Sequence, residues 1–364
     1  MRSPFVRHLR VFVTGRKLFE RPLAFDRQSS QIRDSWVPTT ARVQRRKATN
    51  MLEARTSCPA CGARNNITLL ECSYEAPEVL DFLFSYYHRA NPDSIRNRLG
   101  NGTLTILECT RCGLIYQRNV PDREFMRELY GEWVVEDDYL APTSKPLPVE
   151  HYTYLASEVA HLLTEQRRVV GPDRRIRVLD FGMGWSAWLQ MARSFGAEVY
   201  GAELSEAKIA YARSVGIPVV TRAQIQEMEF DLICTEQVLE HVPDPAEILQ
   251  ELVRSLAPDG YIKISVPPGS AIKAVLAKWN WERAIARHEA LMPIHPLEHI
   301  NCFTTQSLNA LAARFGLKRA SLSALRATAF SIGWHTPKAA IKNLVRPVYR
   351  FTLKRGTYAV FRRR

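Results

Sequence analysis

Residues 58–61 and 109–112 read Cys-Pro-Ala-Cys and Cys-Thr-Arg-Cys, and each is followed by a glycine. Two thiolates on such a tight turn can grip one side of a tetrahedral zinc ion, and the glycine permits the left-handed turn that aims backbone amides at sulfur. Cys58, Cys61, Cys109 and Cys112 together would make a closed four-sulfur shell. A closed shell leaves no open position, so the metal would be structural and not catalytic. The apolar run Leu9 to Val13 is broken by Arg10 and too short for a secretory signal, which favours metal over disulfides. Cys72, Cys234 and Cys302 stand alone and read as core residues.

Asp180, Gly182, Gly184 and Glu203 form a second set, within the stretch Arg177 to Glu203. Val178 and Leu179 begin a buried strand, the glycines make a turn, Ala187 to Ser194 read as a helix and Glu198 to Gly201 as the next strand. Glycines there let a ligand approach the backbone, and a carboxylate about twenty positions on can accept the hydrogen bonds of a ribose diol. The glycines alone do not choose between a dinucleotide and S-adenosylmethionine. Asp180 does choose: a carboxylate at the strand end opposes a pyrophosphate but suits a ligand with a cationic sulfonium and an amine.

Methyl transfer from that donor is an in-line displacement, so holding the acceptor in line supplies much of the acceleration. A hydroxyl or amine acceptor also loses a proton. Glu240-His241 follows the strand Phe230–Thr235, near where the methyl group would point, and makes His241 the first candidate for a base or acceptor-positioning residue. The plainer reading has His241 capping the turn before Pro243. The loop from Arg287 to His299 is rich in histidine and sits where a substrate lid belongs, so His295 and His299 are further catalytic candidates. His299 could instead hydrogen-bond within the cap of the helix that starts at Thr304.

The elements that must position these groups alternate from Arg177 onward. Strands are expected at 178–181, 198–202, 219–221, 230–235 and 261–266, and helices at 187–194, 205–215, 245–256, 271–286 and 304–315. Alternation of this kind implies an α/β fold with a mostly parallel, Rossmann-like sheet and the ligand at the carboxyl ends of its strands. Ala320 to Leu325 could close the sheet, and His151 to Arg168 is a helix leading into it. The two cysteine pairs are farther apart than in the usual zinc ribbon, so an insertion with a helix at about 81–89 must loop out between them. The expected organisation is a basic, disordered extension over 1–55, a zinc-binding module over 56–140, the α/β domain over 150–330 and a basic amphipathic tail over 331–364.

The stretches V-L-D-F-G-M-G at 178–184, G-A-E at 201–203, F-D-L-I-C-T-E-Q-V-L-E-H-V-P-D-P at 230–245 and L-A-P-D-G-Y-I-K-I-S-V-P at 256–267 resemble a class I S-adenosylmethionine-dependent methyltransferase. With the cysteine pairs and H-I-N-C-F-T-T-Q-S-L at 299–308, residues 56–320 resemble a subgroup with an N-terminal zinc-binding module, associated with sugar, cell-surface glycan or secondary-metabolite methylation. The resemblance implies that Asp180, Gly182 and Gly184 line the methionine end and that Glu203, with Leu204 beside it, holds the ribose. It also implies that Ala223 and Gln224 lie near the adenine and that Glu236 and Gln237 flank the cofactor. The family's third glycine falls at Ser186. Relatives acting on quinone-ring or RNA hydroxyls can carry Glu-x-x-Glu-His and a divalent metal; here Gln237 stands in place of the first Glu.

Charge is unevenly spread. Residues 1–55 carry 13 Lys or Arg against 4 Asp or Glu, residues 337–364 carry 9 against none, and the rest carry 28 against 33. The slightly acidic body argues against a basic nucleic-acid groove, so nucleic acid is not an expected partner. No run of about 18 apolar residues suggests a transmembrane helix. The expected location is cytoplasmic, with the tail able to rest on an anionic membrane. The leading expectation is a methyltransferase for a small-molecule or glycan acceptor. An RNA methyltransferase and a non-enzymatic S-adenosylmethionine-binding scaffold are the other readings open at this point.

Overall fold

The computed structural model describes residues 51–134, 149–287, 291–322 and 357–364, with the single positions 337, 340, 341, 344 and 345. The first module contains β1 (Leu52–Ala54), β2 (Asn66–Ser73), α1 (Pro77–Tyr86), α2 (Pro92–Leu99), β3 (Thr103–Cys109), β4 (Ile115–Gln117), β5 (Asn119–Pro121), α3 (Arg123–Glu128) and a π-helical turn, Leu129–Trp133. The insertion thus holds two helices. The first starts before the expected residue 81 because Pro77 pre-sets helical φ in the opening turn, and the second starts at Pro92 with Asn91 as its cap. The boundary expected at residue 55 is also corrected. Leu52–Ala54 pair antiparallel with Asn119–Pro121, so these residues are sheet and not extension. Residues 1–50 lie outside the described residues, as does the proline-punctuated stretch 142–148.

The larger domain runs through α4 (Val149–Val170), β6 (Arg177–Phe181), α5 (Ala187–Ser194), β7 (Glu198–Ala202), α6 (Glu206–Ser214), α7 (Arg222–Gln226), β8 (Phe230–Glu236), α8 (Pro245–Arg254) and β9 (Leu256–Val266). It continues with α9 (Ile272–Leu276), α10 (Trp281–Arg287), β10 (Asn301–Cys302), α11 (Thr305–Arg314), β11 (Leu317–Arg319) and β12 (Thr357–Arg363). Six strands form one sheet in the order β11-β12-β9-β8-β6-β7. Its β7, β6, β8 and β9 are parallel, and β12 runs antiparallel between β9 and β11. One face is covered by α4 and α5 through Val159, Leu162, Trp188 and Leu189; the other packs on Leu249, Leu252, Leu308 and Leu311 of α8 and α11. Strands buried on both faces read as continuous apolar runs, which is why these elements were legible.

Several expected elements change. Residues 219–221 are not a strand: Val219 makes a single parallel bridge to Gly201, and Thr221 turns out to cap α7. The helix expected over 271–286 is two short helices. The sheet closes through Leu317–Arg319; of the expected strand at 320–325, residues 320–322 are not strand and 323–325 lie outside the described residues. The end of the expected basic tail is itself a sheet strand, since Thr357, Ala359, Val360 and Phe361 are buried while the arginines stay at the strand end. Most of the rest of that tail lies outside the described residues; Ile341, Leu344 and Val345 are exposed. Among the described residues, no helix is long and apolar enough to cross a membrane.

The two halves share a sheet. The short β10, from beyond the histidine-rich loop, pairs antiparallel with β4, giving a four-stranded sheet β10-β4-β3-β2. Arg55 adds to this seam, donating to Asn301 Oδ1 at 2.8 Å and to the Pro243 carbonyl at 2.7 Å.

Candidate active site and cysteine cluster

The four predicted cysteines converge. Cys58 Sγ lies 3.6 Å from Cys112 Sγ and Cys61 Sγ lies 3.5 Å from Cys109 Sγ, and all four sulfurs are within 4.8 Å of one another. A tetrahedron with metal–sulfur bonds of about 2.3 Å has edges of about 3.8 Å, so the set fits a zinc ion. The two knuckles are built alike. Gly62 N donates to Cys58 O and Gly113 N to Cys109 O, at φ of 74° and 70°, and Cys58 N and Cys109 N donate to Ala63 O and Leu114 O. The neighbouring Cys112 thiol pulls Cys58 down, which favours its thiolate form.

The donor turn follows β6. Gly182 has φ +83°, and a Cβ there would lie 2.4 Å from Val238 Cγ2; Gly184 has φ +52° and would point a Cβ into open space. That open space beside the turn is the fit expected for a ligand against the backbone. Glu203 closes the turn from β7. Its Oε2 accepts from Gly184 N at 2.9 Å, and its Oε1 accepts from Leu204 N and Ser205 N, leaving one lone-pair site, on Oε2, for a ribose hydroxyl. Asp180 is 6% exposed, and burial pushes it up to about 7. Ser186, at the third glycine position, adopts φ +56° and is fully buried. Gln237 and Leu297 also have positive φ, so the three non-glycine residues with such backbone among the described residues lie at the donor turn, the end of β8 and the histidine loop. Strain clustered this way marks functional loops. Gln224 is occupied in the capping box of α7, accepting from Thr221 N at 2.8 Å, and Ala223 is exposed beside it.

Glu240, His241 and His299 come together, each offering an atom within 4.8 Å of the others. The His241 and His299 rings meet edge to face with centroids 4.5 Å apart, and Tyr130 Oη lies 2.8 Å from His241 Nδ1. Glu240 is 0% exposed with neither carboxylate oxygen hydrogen-bonded among the described residues. Burial pushes Glu240 up to about 8; it also pulls His241 down to about 3 and His299 down to about 4. His241 is therefore a neutral imidazole near neutral pH, and burial disfavours its protonated form. The cap of α11 is made by Thr304 and Ser307, so His299 is not part of it.

The structure does not bring the His295 ring into this group. It lies against Tyr86 at a centroid distance of 3.9 Å and near Phe82, with Nδ1 3.0 Å from the Pro296 carbonyl oxygen. The ring is buried in this aromatic cluster under the loop. His288 and Glu289 lie outside the described residues.

Residues without a recognisable motif hold these groups in place. Gln117 of β4, 0% exposed, donates to the carbonyl oxygens of His295 and His299 at 2.6 and 3.3 Å. Tyr87 of the insertion donates to Pro296 O at 2.7 Å. Asn301 donates to the carbonyl oxygens of Leu239 and Val242 at 2.9 and 2.8 Å, fixing the turn that carries His241. Lys263 of β9 lies 2.7 Å from Glu236 Oε2. A lysine inside the apolar run Tyr261–Val266 was the one legible signal among these.

This sheet and its donor turn define a class I methyltransferase fold. Residues 150–322 match the family model described as a methyltransferase domain, in keeping with the Rossmann-like sheet of this region. The chain is similar to "Ubiquinone biosynthesis O-methyltransferase" of Hydrogenovibrio crunogenus, 26% identical over 151 residues that cover 38% of this chain and 61% of the relative. It is also similar to the protein of the same name from Pseudomonas aeruginosa, 33% identical over 100 residues covering 24% and 43%. The chain thus spans about three fifths of the first relative's length. Among solved structures it is similar to the plantazolicin methyltransferase BamL, with TM-score 0.38, 15% identity and coverage of 58% and 84%. Magnesium protoporphyrin IX methyltransferase from Synechocystis PCC 6803 has TM-score 0.36, 18% identity and coverage of 50% and 89%.

Proposed function

We propose that the chain is an S-adenosylmethionine-dependent methyltransferase that acts on a hydroxyl of a small molecule, a sugar or a cell-surface glycan precursor, with His241 as the proton acceptor. The observation that carries this reading is the abutment of two turns. Val238, three residues before His241, fills the space where Gly182 lacks a side chain, so the donor turn and the Glu240-His241 turn share a wall. The similarity to O-methyltransferases of ubiquinone biosynthesis supports oxygen as the accepting atom.

S-adenosylmethionine supplies a methyl group on positive sulfur. In this reading the chain's own residues do the rest. Asp180 faces the cationic methionine end and Glu203 accepts from the ribose. Tyr130 accepts from His241 Nδ1–H, leaving the Nε2 lone pair for the acceptor's proton, and His299 packs the ring in place. The cysteine cluster holds a structural zinc ion, and β4, which follows its second knuckle, carries Gln117 to the histidine loop.

Incubation with methyl-labelled donor and two acceptor panels, catechol-type phenols and nucleotide sugars, tests the reading; labelled product with one panel is expected. Tight donor binding with no product from either would point to a binding protein. Elemental analysis should find about one zinc per chain by the four-ligand count, and a folded, zinc-free protein would end the metal assignment.

A further inference from the structure

Beneath the proposed donor site lies a charge arrangement that the proposed chemistry leaves unused, and its role rests on the reading that Asp180 meets the donor. Asp180, Cys234 and Lys263 are cross-strand partners on β6, β8 and β9, so their side chains leave one face of the sheet, the face that α4 covers. Lys263 is 1% exposed. Its Nζ lies 3.0 Å from Glu158 Oε2 of α4 and 2.7 Å from Glu236 Oε2 of β8. Trp188 of α5 donates to the same Glu158 oxygen at 3.0 Å. Asp180 feels the lysine only through space. One buried ammonium therefore stands among Glu158, Glu236 and Asp180, with Glu203 beyond.

We propose that this cluster keeps a proton on Asp180 when no donor is bound and releases it to solvent as the cationic methionine end of the donor arrives, so that donor capture is proton-linked and Lys263 sets the pH at which it happens. Glu158 and Asp180 are buried with Glu236 half-exposed beside them, and two buried carboxylates cannot both stay ionised against one shared cation without a large desolvation cost, which a proton on Asp180 removes. The groups facing Asp180 agree. Burial raises it to about 7, Glu236, Glu203 and Glu158 add to the rise, and Lys263 opposes it. Cys234, between Asp180 and Lys263, is pushed well up by burial and stays a neutral thiol. From β7 the cross-strand partner is Gly201, from α5 the neighbour is Trp188, and from β12 Tyr358 lies over the lysine at 5.6 Å, so no further cation reaches the site from these elements.

Donor binding favours the carboxylate, so affinity rises with pH up to about 7 and levels off above it. Well below neutrality affinity falls toward tenfold per unit, and donor binding releases up to one proton, a count that declines as pH rises through neutrality.

Isothermal titration of S-adenosylmethionine into the full chain between pH 5.5 and 7, in two buffers of different ionisation enthalpy, reads the proton count directly. Over this range the donor's own amine, near the usual α-amino range of about 7.7–8.0, stays largely protonated. A buffer-dependent heat that follows this count is expected. Identical heats in both buffers with pH-independent affinity would overturn the proposal while leaving the donor site intact; absence of binding at every pH would remove the donor site itself. Lys263→Met should move the midpoint upward by a pH unit or more and Lys263→Arg should restore it. A merely structural lysine would weaken binding equally at all pH. Should the variants not fold, the wild-type proton count alone decides.

Discussion

The side-chain amide of Gln117 donates to the carbonyl oxygen of His295 at 2.6 Å, across a separation of 178 residues. The same amide oxygen receives Leu297 N at 3.4 Å, and Gln117 N donates to Ile300 O at 3.0 Å. One residue of the cysteine-bearing module thus fastens the loop that delivers His299 to His241. In the proposed reading the module mounts the acceptor side of the site, while the donor side sits on the turns that follow β6 and β7.

Gln117→Ala should therefore separate the two sides. Unpairing the buried carbonyls should cost about 1–3 kcal/mol of stability. Donor affinity should be unchanged and the acceptor KM should rise. A thermal melt with donor-binding calorimetry checks this, and a matching loss of donor affinity would show that the mount serves the whole domain.

His241→Ala should lower kcat by about 10²–10⁴-fold with saturating donor, the usual contribution of a positioned base. Tyr130→Phe should cost less, since it removes only the partner of Nδ1. Because burial pulls His241 down to about 3, its neutral form is present throughout the working range. The kcat profile at saturating donor should then lack the acid limb near 6.5 that an unperturbed histidine gives. A limb there that vanishes in His241→Ala would contradict the buried geometry.

Gly182→Ala should abolish donor binding. Its φ of +83° disfavours a side chain, and the new Cβ would strike Val238 Cγ2. Combining it with Val238→Ala removes the collision but not the backbone strain, so donor affinity should recover in part. Full recovery in the double variant would mean that φ is not a constraint at this turn.

Glu240 carries a prediction about stability. Its folded pKa of about 8 lies above the unfolded value near 4.3, so the folded state binds the extra proton and stability falls as pH rises between those values. The fall should be on the order of 1 kcal/mol per pH unit. Glu240→Gln, which does not titrate, should flatten that part of the curve in denaturant melts from pH 5 to 8. An unchanged slope would show that Glu240 stays ionised.

The chain's own sequence determined what depends on neighbours along the chain. Both cysteine knuckles, the glycine turn after Asp180 and the apolar strands β6 and β8 are local patterns, and each appears where those patterns put it, whereas β9 begins at Leu256, ahead of the expected residue 261. Tertiary structure decided what depends on distant partners. Strand β12 looked like a basic tail because its arginines dominate the local composition, and only pairing with β9 buries its apolar residues. Residues 219–221 had strand-like composition but found a single bridging partner. The choice among the histidines could not be made from spacing: His299 meets His241 because β10 pairs with β4 and Gln117 holds the loop, whereas His295 turns into the aromatic cluster. Side-chain chemistry is written in the residues, but which groups share a few ångströms is set by the pairing of strands far apart in the chain.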